Sequence, residues 1–295
     1  MSLATPRKGY KSVPWLFGKE IEIPEEWRFQ KIRECCNILD SKRIPINSEE
    51  RKKIQGNIPY YGANGIQGYV NDHIFDEEII LLAEDGGYFE EYKTRPIAQY
   101  VIGKSWVNNH AHVLNTKKNI LMKWVFYSLV HKNITQYING STRTKLNQSD
   151  LQKISILIPP LPEQQKIATI LSNVDNLIES TGKVITHSKK VKTGLMQKLL
   201  TRGIGHTKFK KVPWLFGKEI EIPEEWENVN VEYVADKLLS GGTPSTMITE
   251  YWDGDIPWTK GAVLTTNNTT KGEKFISELG LKNSSTSIIS KFSNF

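Results

Sequence analysis

Residues 161–203 carry the most regular hydrophobic pattern in the chain. Apolar side chains recur there every three or four positions, the spacing that places them on one face of an α-helix. The members of this seam are Ile167, Ile170, Val174, Leu177, Val184, Val191 and Leu195. Pro162 and Glu163 suit the first turn of a helix, and Gly203 suits its end. The pattern predicts a coiled-coil-type helix roughly 60 Å long, at about 1.5 Å per residue, whose seam requires a partner.

Short apolar runs separated by turn residues dominate residues 28–160. The runs Ile79–Ala83 and Gln99–Gly103 have the length and composition of buried strands, and Leu151–Ile158 predicts a last strand before two prolines. The segment Leu121–Lys132 has a helical pattern. This mixture of strands and helix predicts an α/β (α+β) domain.

A fifteen-residue segment, VPWLFGKEIEIPEEW, occurs twice, at Val13–Trp27 and again at Val212–Trp226. The interval is longer than the period of any solenoid repeat and has the size of a domain. The repeat therefore divides the chain into five parts. They are an N-terminal lead-in segment (1–27), a first domain (28–160), a spacer helix (161–203), a repeated lead-in segment (204–226) and a partial second domain (227–295). The second domain is about half as long as the first, so it is expected to be either a different small domain or a truncated second unit.

Composition predicts a soluble protein of the cytoplasm. The chain has 295 residues, 38% of them hydrophobic and 24% charged, which is typical of globular domains. No apolar run reaches the roughly 18 residues of a membrane span, and the N-terminus lacks the apolar core of a signal peptide. Cys35 and Cys36 are neighbours and form no disulfide framework, as in a reducing compartment.

The positive charge is concentrated in one segment. The formal net charge is +7, and residues 183–211 contain nine Lys or Arg and no Asp or Glu. This segment is either a solvated basic helix face or a contact for a polyanion such as DNA.

Signals for catalysis are weak. Asp76 or Asp85 with Glu91 and Lys93 loosely resembles a metal-dependent nuclease, but a solvated acidic face explains this acidic stretch better. The alternating histidines His110 and His112 lack an evident third ligand, so no metal site is predicted. A nuclease and a purely structural helical adaptor are the two alternatives to a binding function.

Basic, amide and aromatic side chains form several clusters in the first domain. Arg and Asn are the side chains that read guanine and adenine edges, and Lys suits phosphates. The candidate DNA contacts are Lys42, Arg43, Lys52, Lys53, Tyr60, Tyr61, Asn64, Lys104, Asn109, Arg143, Lys145 and Asn147. For the two tyrosines the competing interpretation is that they are half-buried turn residues.

Several motifs resemble those of one known family, the specificity subunits of type I restriction-modification systems. The motifs are IPPLPEQQKIA (158–168), LMQKLLTRG (195–203), PYYGANGI (59–66), LLAEDGG (81–87), GKSWVNNHAHVL (103–114), GGTPST (241–246) and YWDGDIPW (251–258). The resemblance covers nearly the whole chain. It identifies residues 28–160 as a target recognition domain and residues 227–295 as part of a second one.

The resemblance also implies a function. Such subunits read the two halves of a bipartite site in double-stranded DNA with two recognition domains, while paired spacer helices dock two modification subunits. It implies no catalysis and no cofactor in this chain; S-adenosylmethionine, ATP and magnesium are expected on the modification and restriction subunits. Because the second unit is short, the seam is expected to be covered in trans, by the modification subunit or by an antiparallel homodimer that reads a palindromic target.

Overall fold

The computed structural model describes residues 6–140, 144–235, 240–259 and 274–288. The chain divides into two compact units, residues 1–187 and residues 188–295. None of the helices in the described part of the chain combines the length and the apolar character that a bilayer crossing requires.

The strands of the first unit are short. They are β1 (Tyr10–Pro14), β2 (Glu20–Pro24), β3 (Arg28–Lys31), β4 (Cys36–Ile38), β5 (Gln55–Gly62), β6 (Gly65–Val70), β7 (Phe75–Asp76), β8 (Ile79–Ala83), β9 (Ala98–Val101), β10 (Lys104–Val107), β11 (Ala111–Thr116), β12 (Ile138–Asn139), β13 (Lys145–Leu146) and β14 (Ser155–Ile158). The helices are α1 (Ile32–Cys35), α2 (Ser48–Lys53), α3 (Met122–Leu129), α4 (Gln148–Leu151) and α5 (Leu161–Arg202).

Two four-stranded sheets form the body of the first unit. One has the strand order β6-β5-β10-β7 and the other β4-β11-β8-β9. All neighbours pair antiparallel except β5 and β10, which run parallel. The strand β8 is buried along all five residues, as its continuous apolar run requires. The larger core cluster lies between this second sheet, α3 and β14, and a smaller cluster surrounds Phe75 and Val107.

The lead-in segment forms a hairpin of β1 and β2, and the chain then enters the domain body. Strand β3 pairs with β14, the last strand before the spacer helix, with Arg28 opposite Ile158. The beginning and the end of the first domain therefore lie side by side, directly before α5.

The second unit contains a matching hairpin and a small mixed fragment. Its strands are β15 (Phe209–Pro213), β16 (Glu219–Pro223), β17 (Trp252–Trp258) and β18 (Lys274–Ile276), and its short helices are α6 (Val231–Val234) and α7 (Glu278–Lys282). The two hairpins have the same antiparallel register, with Val13 opposite Ile21 and Val212 opposite Ile220.

The structure confirms most of the predicted elements. The strand Ile79–Ala83, a strand near residue 100, the helix after Leu121 and the long spacer helix are all present. The predicted start of the last strand, at Leu151, is wrong. Leu151 is helical, and the strand begins only at Ser155. Asn147 starts this short helix, since its carbonyl accepts hydrogen bonds from the backbone N–H groups of Asp150 and Leu151. The boundaries of the five sequence-based parts stay a prediction.

Candidate nucleic-acid interface

Three loops of the first domain are tied together at one end of its sheets. The backbone N–H of Glu84 donates to the carbonyl of His110 at 2.9 Å, and that of Leu146 donates to the carbonyl of Glu84 at 2.7 Å. The side chain of Asn64, in the turn between β5 and β6, donates to the carbonyl of Gly86 at 2.8 Å. Asn64, Asn109 and Lys145 are far apart in sequence. The structure brings the segments that carry them close together.

An ion-pair network lies beneath these loops. Glu84 accepts from Arg43 at 2.7 Å and lies 3.0 Å from the ammonium of Lys145. Arg43 is largely buried and also donates to the carbonyl of Ala111 at 2.8 Å. Lys145 keeps 47% of its side chain exposed. Arg43 therefore makes its hydrogen bonds and ion pairs within the domain, whereas the side chain of Lys145 is partly accessible to solvent.

His112 extends this network into the core. Its Nδ1 lies 2.6 Å from a carboxylate oxygen of Asp40, and its Nε2 lies 2.8 Å from the carbonyl oxygen of Leu146. Both partners offer hydrogen-bond acceptors, Asp40 through its carboxylate and Leu146 through its carbonyl. Asp40 also accepts from the backbone N–H of Val113 at 2.9 Å. The histidine therefore connects its own strand, β11, to β13, the strand that contains Lys145.

Asp40, Glu84 and His112 also have the spacing of a metal-ligand group, with one ligand atom each within 4.8 Å of the others. Sequence reasoning missed this group, because the partners of His112 come from distant segments. Arg43 and Lys145 lie against the same two carboxylates. Two cations balance two carboxylates here, as in a structural ion-pair network.

The acidic stretch 72–91 is mostly solvated, as predicted, with six of its eight acidic residues exposed, and Glu84 and Asp85 are the exceptions. Glu84 and Asp85 are largely buried and have cationic or imidazole partners. Asp85 lies 2.6 Å from Nδ1 of His110, close enough for an ion pair although the ring is not aligned for a hydrogen bond. Local composition failed here because the partners of these carboxylates come from other loops.

The residues proposed for a nuclease have separate environments. Asp76 lies opposite Lys104 across β7 and β10, and Glu91 pairs with Arg95 one helical turn away. The metal-ligand group found in the described residues contains none of them. This geometry does not support the nuclease alternative.

The remaining candidate contacts fall into three classes. Lys42, Lys52, Lys53, Lys104, Asn109 and Asn147 are exposed. Tyr61 is half-buried, and burial raises its pKa. Tyr60 is a core residue of β5, 1% exposed, whose hydroxyl donates to the carbonyl of Ile46 at 3.1 Å, so it is a buried strand residue and not the half-buried turn residue of the competing interpretation. Arg143 lies outside the described residues.

The first turn of α5 is attached to the first domain by two polar side chains, of which sequence reasoning singled out Glu163 but not Gln164. Gln164 is fully buried; its oxygen accepts from the backbone N–H of Leu121 at 2.9 Å, and its nitrogen donates to the carbonyl of Pro159 at 2.8 Å. Glu163 accepts from the indole of Trp27 at 2.9 Å. A detectable signal was present, since Gln164 is a polar residue one helical turn before Ile167 on the apolar face.

The seam of α5 is mostly uncovered. Its members Ile170, Val174, Leu177, Val184, Val191 and Leu195 are each exposed by 45% or more. Ile167 differs from the prediction, because it packs against the core of the first domain. The domain covers the first turns of the helix, and the rest of the seam forms an apolar stripe.

The charge of α5 changes along its length. Residues 161–182 contain three acidic residues and one lysine, whereas residues 183–202 contain five lysines, one arginine and no acidic residue. Glu179 and Lys183 form an ion pair at the boundary, which lowers the pKa of Glu179. The helix therefore has an acidic first half and a basic second half.

Sequence comparison identifies related proteins. The family described as "Type I restriction modification DNA specificity domain" matches residues 24–187. A putative type I restriction enzyme specificity subunit of Haemophilus influenzae is 40% identical over 157 residues, which cover 53% of this chain and 38% of that protein. The putative type I restriction enzyme MjaX specificity subunit of Methanocaldococcus jannaschii is 32% identical over 277 residues, covering 81% of this chain and 60% of that protein.

A solved structure has a similar fold. It is described as the crystal structure of a type I restriction-modification system S subunit from M. genitalium, and it aligns with a TM-score of 0.51 at 14% identity, over 85% of this chain and 62% of that one. The chain thus spans between 38% and 60% of the length of the two curated relatives.

Proposed function

The chain belongs to the family of type I restriction modification DNA specificity domains, and from that membership we propose that it is a DNA-reading subunit of a type I restriction-modification complex. Its first domain contacts one half of a bipartite site in double-stranded DNA, and its long helix docks modification subunits, through which a restriction subunit joins. The complex acts in the cytoplasm.

The observation that carries this proposal is the convergence of the loops around Asn64, Asn109 and Lys145. An exposed amide and an exposed ammonium at one end of a rigid sheet have the chemistry of base-edge and phosphate contacts. The buried network of Arg43, Glu84 and His112 fixes the loops before DNA arrives, so less conformational entropy is lost on binding.

The proposed role needs no catalytic group in this chain. Arg43 and Lys145 pair with the carboxylates of Asp40 and Glu84, which suits a positioning network rather than a reaction centre. S-adenosylmethionine is assigned to the modification subunit, and ATP and magnesium are assigned to the rest of the complex.

We also propose that two copies of this chain pair through their seams in antiparallel orientation. Burial of each exposed apolar seam residue against a partner stabilises the dimer by about 1.5–3 kcal/mol. An antiparallel pair places each basic half of α5 against the acidic half of its partner, whereas a parallel pair places two basic halves together. Such a dimer holds two identical first domains at opposite ends and reads a palindromic target with a spacer.

Methylation mapping tests both proposals. The chain is co-expressed with its modification subunit, and the methylated adenines of the host DNA are located by sequencing. The expected motif consists of two inverted copies of one half-site around a fixed gap. A bipartite motif with two unlike halves would refute the homodimer and keep the DNA-reading role. Methylation without sequence preference would refute that role and favour the structural adaptor.

A further inference from the structure

The two hairpins of this protein, hairpin A (residues 10–24) and hairpin B (residues 209–223), have the same structure at their tips. Phe17 has φ 58° and ψ 35°, and Phe216 has φ 57° and ψ 35°. In each tip the backbone N–H of the tryptophan, Trp15 or Trp214, donates to the backbone carbonyl of the lysine four residues later at 2.6 Å. Few phenylalanines adopt this left-handed backbone conformation, yet both tips do. A surface that fits one tip therefore fits the other.

Hairpin A is held by a seat on the first domain, formed by Lys132 and Gln136 just after α3. The side-chain oxygen of Gln136 accepts from the backbone N–H of Phe17 at 2.9 Å. The ammonium of Lys132 lies 3.9 Å from the centre of the Trp15 ring, a cation–π contact. These contacts leave Trp15 only partly exposed and Phe17 52% exposed.

Hairpin B is anchored at its base and uncovered at its tip. Trp226 packs edge-on against His206, and Glu221 pairs with Arg202 at the end of α5. At the tip, Trp214 is 49% exposed and Phe216 is 96% exposed. Leu215, between them, is exposed as well. Three adjacent large apolar side chains in water form the kind of patch that marks an interaction surface.

We propose that hairpin B docks on the Lys132–Gln136 seat of a second copy of this chain, in exchange with that copy's hairpin A. The sequence Val13–Trp27 is identical to Val212–Trp226, so hairpin B can make every contact that hairpin A makes with the seat. Exchange of identical elements between copies is a low-cost route to association, because no new interface has to be formed. The same seat thus serves as the receptor for an intermolecular contact.

The two hairpins differ at the seat only in whether the chain that carries them also carries the seat. Hairpin A is attached to the same domain and has a high effective concentration there, whereas hairpin B of another copy must reach it from solution. Exchange therefore increases with protein concentration. It does not depend on DNA reading, so it holds or fails separately from the function proposed above.

Cross-linking between differently tagged full-length chains tests the exchange. One chain carries Thr135→Cys beside the seat, and the other carries Phe216→Cys at the tip of hairpin B; a short bismaleimide joins cysteines that meet. Met247→Cys replaces Phe216→Cys in the matched control, because Met247 is equally exposed in the same unit, at 93%. The native Cys35 and Cys36 are buried. The expected result is a 135–216 adduct many-fold above the 135–247 adduct and increasing with concentration.

Two further variants specify the contact. Trp15→Ala, in the chain that carries Thr135→Cys, removes the ring that hairpin A places over Lys132 and leaves hairpin B unchanged, so the 135–216 adduct is expected to increase. Val184→Glu with Val191→Glu disrupts the seam, and the adduct is expected to persist. A 135–216 adduct no greater than the control, not increased by Trp15→Ala, or lost in the seam variant would overturn the proposal.

Discussion

At the scale of single residues, a few polar groups determine how the first domain holds its neighbours. Gln164 satisfies one donor and one acceptor of the chain, at Leu121 and Pro159, that would otherwise be buried without partners. Lys132 is partly withdrawn from water beside Trp15, where the aromatic ring faces its ammonium. Each of these groups has a measurable effect on stability.

Replacement of Gln164 by leucine is expected to destabilise the first domain. The substitution keeps the volume roughly constant but leaves the N–H of Leu121 and the carbonyl of Pro159 without partners, at a cost of about 1–3 kcal/mol for each buried group. Urea unfolding of the full chain measures the loss. Gln165→Leu is the matched control, because Gln165 is exposed on the same helical turn. Equal stability of the two variants would contradict the role of Gln164.

Lys132 is expected to make stability depend on pH in the alkaline range. Burial lowers its pKa from 10.5 to about 8, so between these values the unfolded chain binds a proton that the folded chain lacks. Stability conferred by this group therefore rises as pH rises from about 8 to about 10.5. The gain is at most about 3.5 kcal/mol, since one unit of pKa corresponds to about 1.4 kcal/mol, and the contact with Trp15 opposes it.

The measurement compares the wild-type chain with Lys132→Met by urea unfolding across this pH range. All other titrating groups are common to the two chains and cancel in the difference. The free energy of unfolding of the wild type is expected to increase relative to that of the variant as pH rises. A difference that stays constant with pH would show that the ammonium of Lys132 is not desolvated.

At the scale of elements, α5 has two different environments along its length. Its first turns pack on the first domain through Gln164, Ile167 and Ala168, and its later turns expose the seam. A helix with an exposed apolar stripe is stabilised mainly by what it packs against. The seam therefore indicates assembly rather than an isolated helix.

Charges placed on the seam are expected to dissociate the proposed homodimer. Val184→Glu with Val191→Glu buries two carboxylates in the interface, which is strongly unfavourable. Thr186→Glu with Thr193→Glu adds the same charge to the opposite face of the same half of the helix and is the matched control. Sedimentation equilibrium is expected to give a monomer for the first variant and a dimer for the second. The same mass for both variants would exclude the seam as the interface.

At the scale of the whole molecule, the candidate interface is made from loops that only the sheet order brings together. Asn64 follows β5, Glu84 follows β8, Asn109 precedes β11, and Lys145 forms part of β13. The ends of β8 and β11 meet because these strands pair antiparallel, with Ala83 opposite Ala111. The partly exposed side chain of Lys145 lies at this end. A substitution of Lys145 therefore tests most directly whether this surface binds DNA.

Lys145→Ala is expected to weaken binding of a duplex that carries the mapped target. The loss is about 1–3 kcal/mol if the side chain contacts a base, and the salt slope decreases by about 1 if it contacts a phosphate. Lys118→Ala is the matched control, because Lys118 is exposed beyond the opposite end of β11. Binding is measured by fluorescence anisotropy at several salt concentrations. Unchanged affinity and slope for Lys145→Ala would remove it from the interface.

The sequence alone determined the local features of this protein. The spacing of apolar residues predicted α5 almost to the residue, the buried run predicted β8, and the repeat predicted two equivalent lead-in segments, which the structure shows to be hairpins. Helix and strand periodicities are properties of neighbouring residues, so they can be detected without knowledge of the fold. The family was likewise evident from short motifs, each of them contiguous in the chain.

Only the tertiary structure decided which distant residues meet. Asp40 and His112 meet because β11 lies between β4 and β8, and this order depends on the packing of the whole domain. The same packing buried Tyr60, turned Ile167 towards the domain core and made Glu84 part of the ion-pair network. A residue's type gives the chemistry it offers, but its partners and its exposure are set by contacts between segments far apart in the chain.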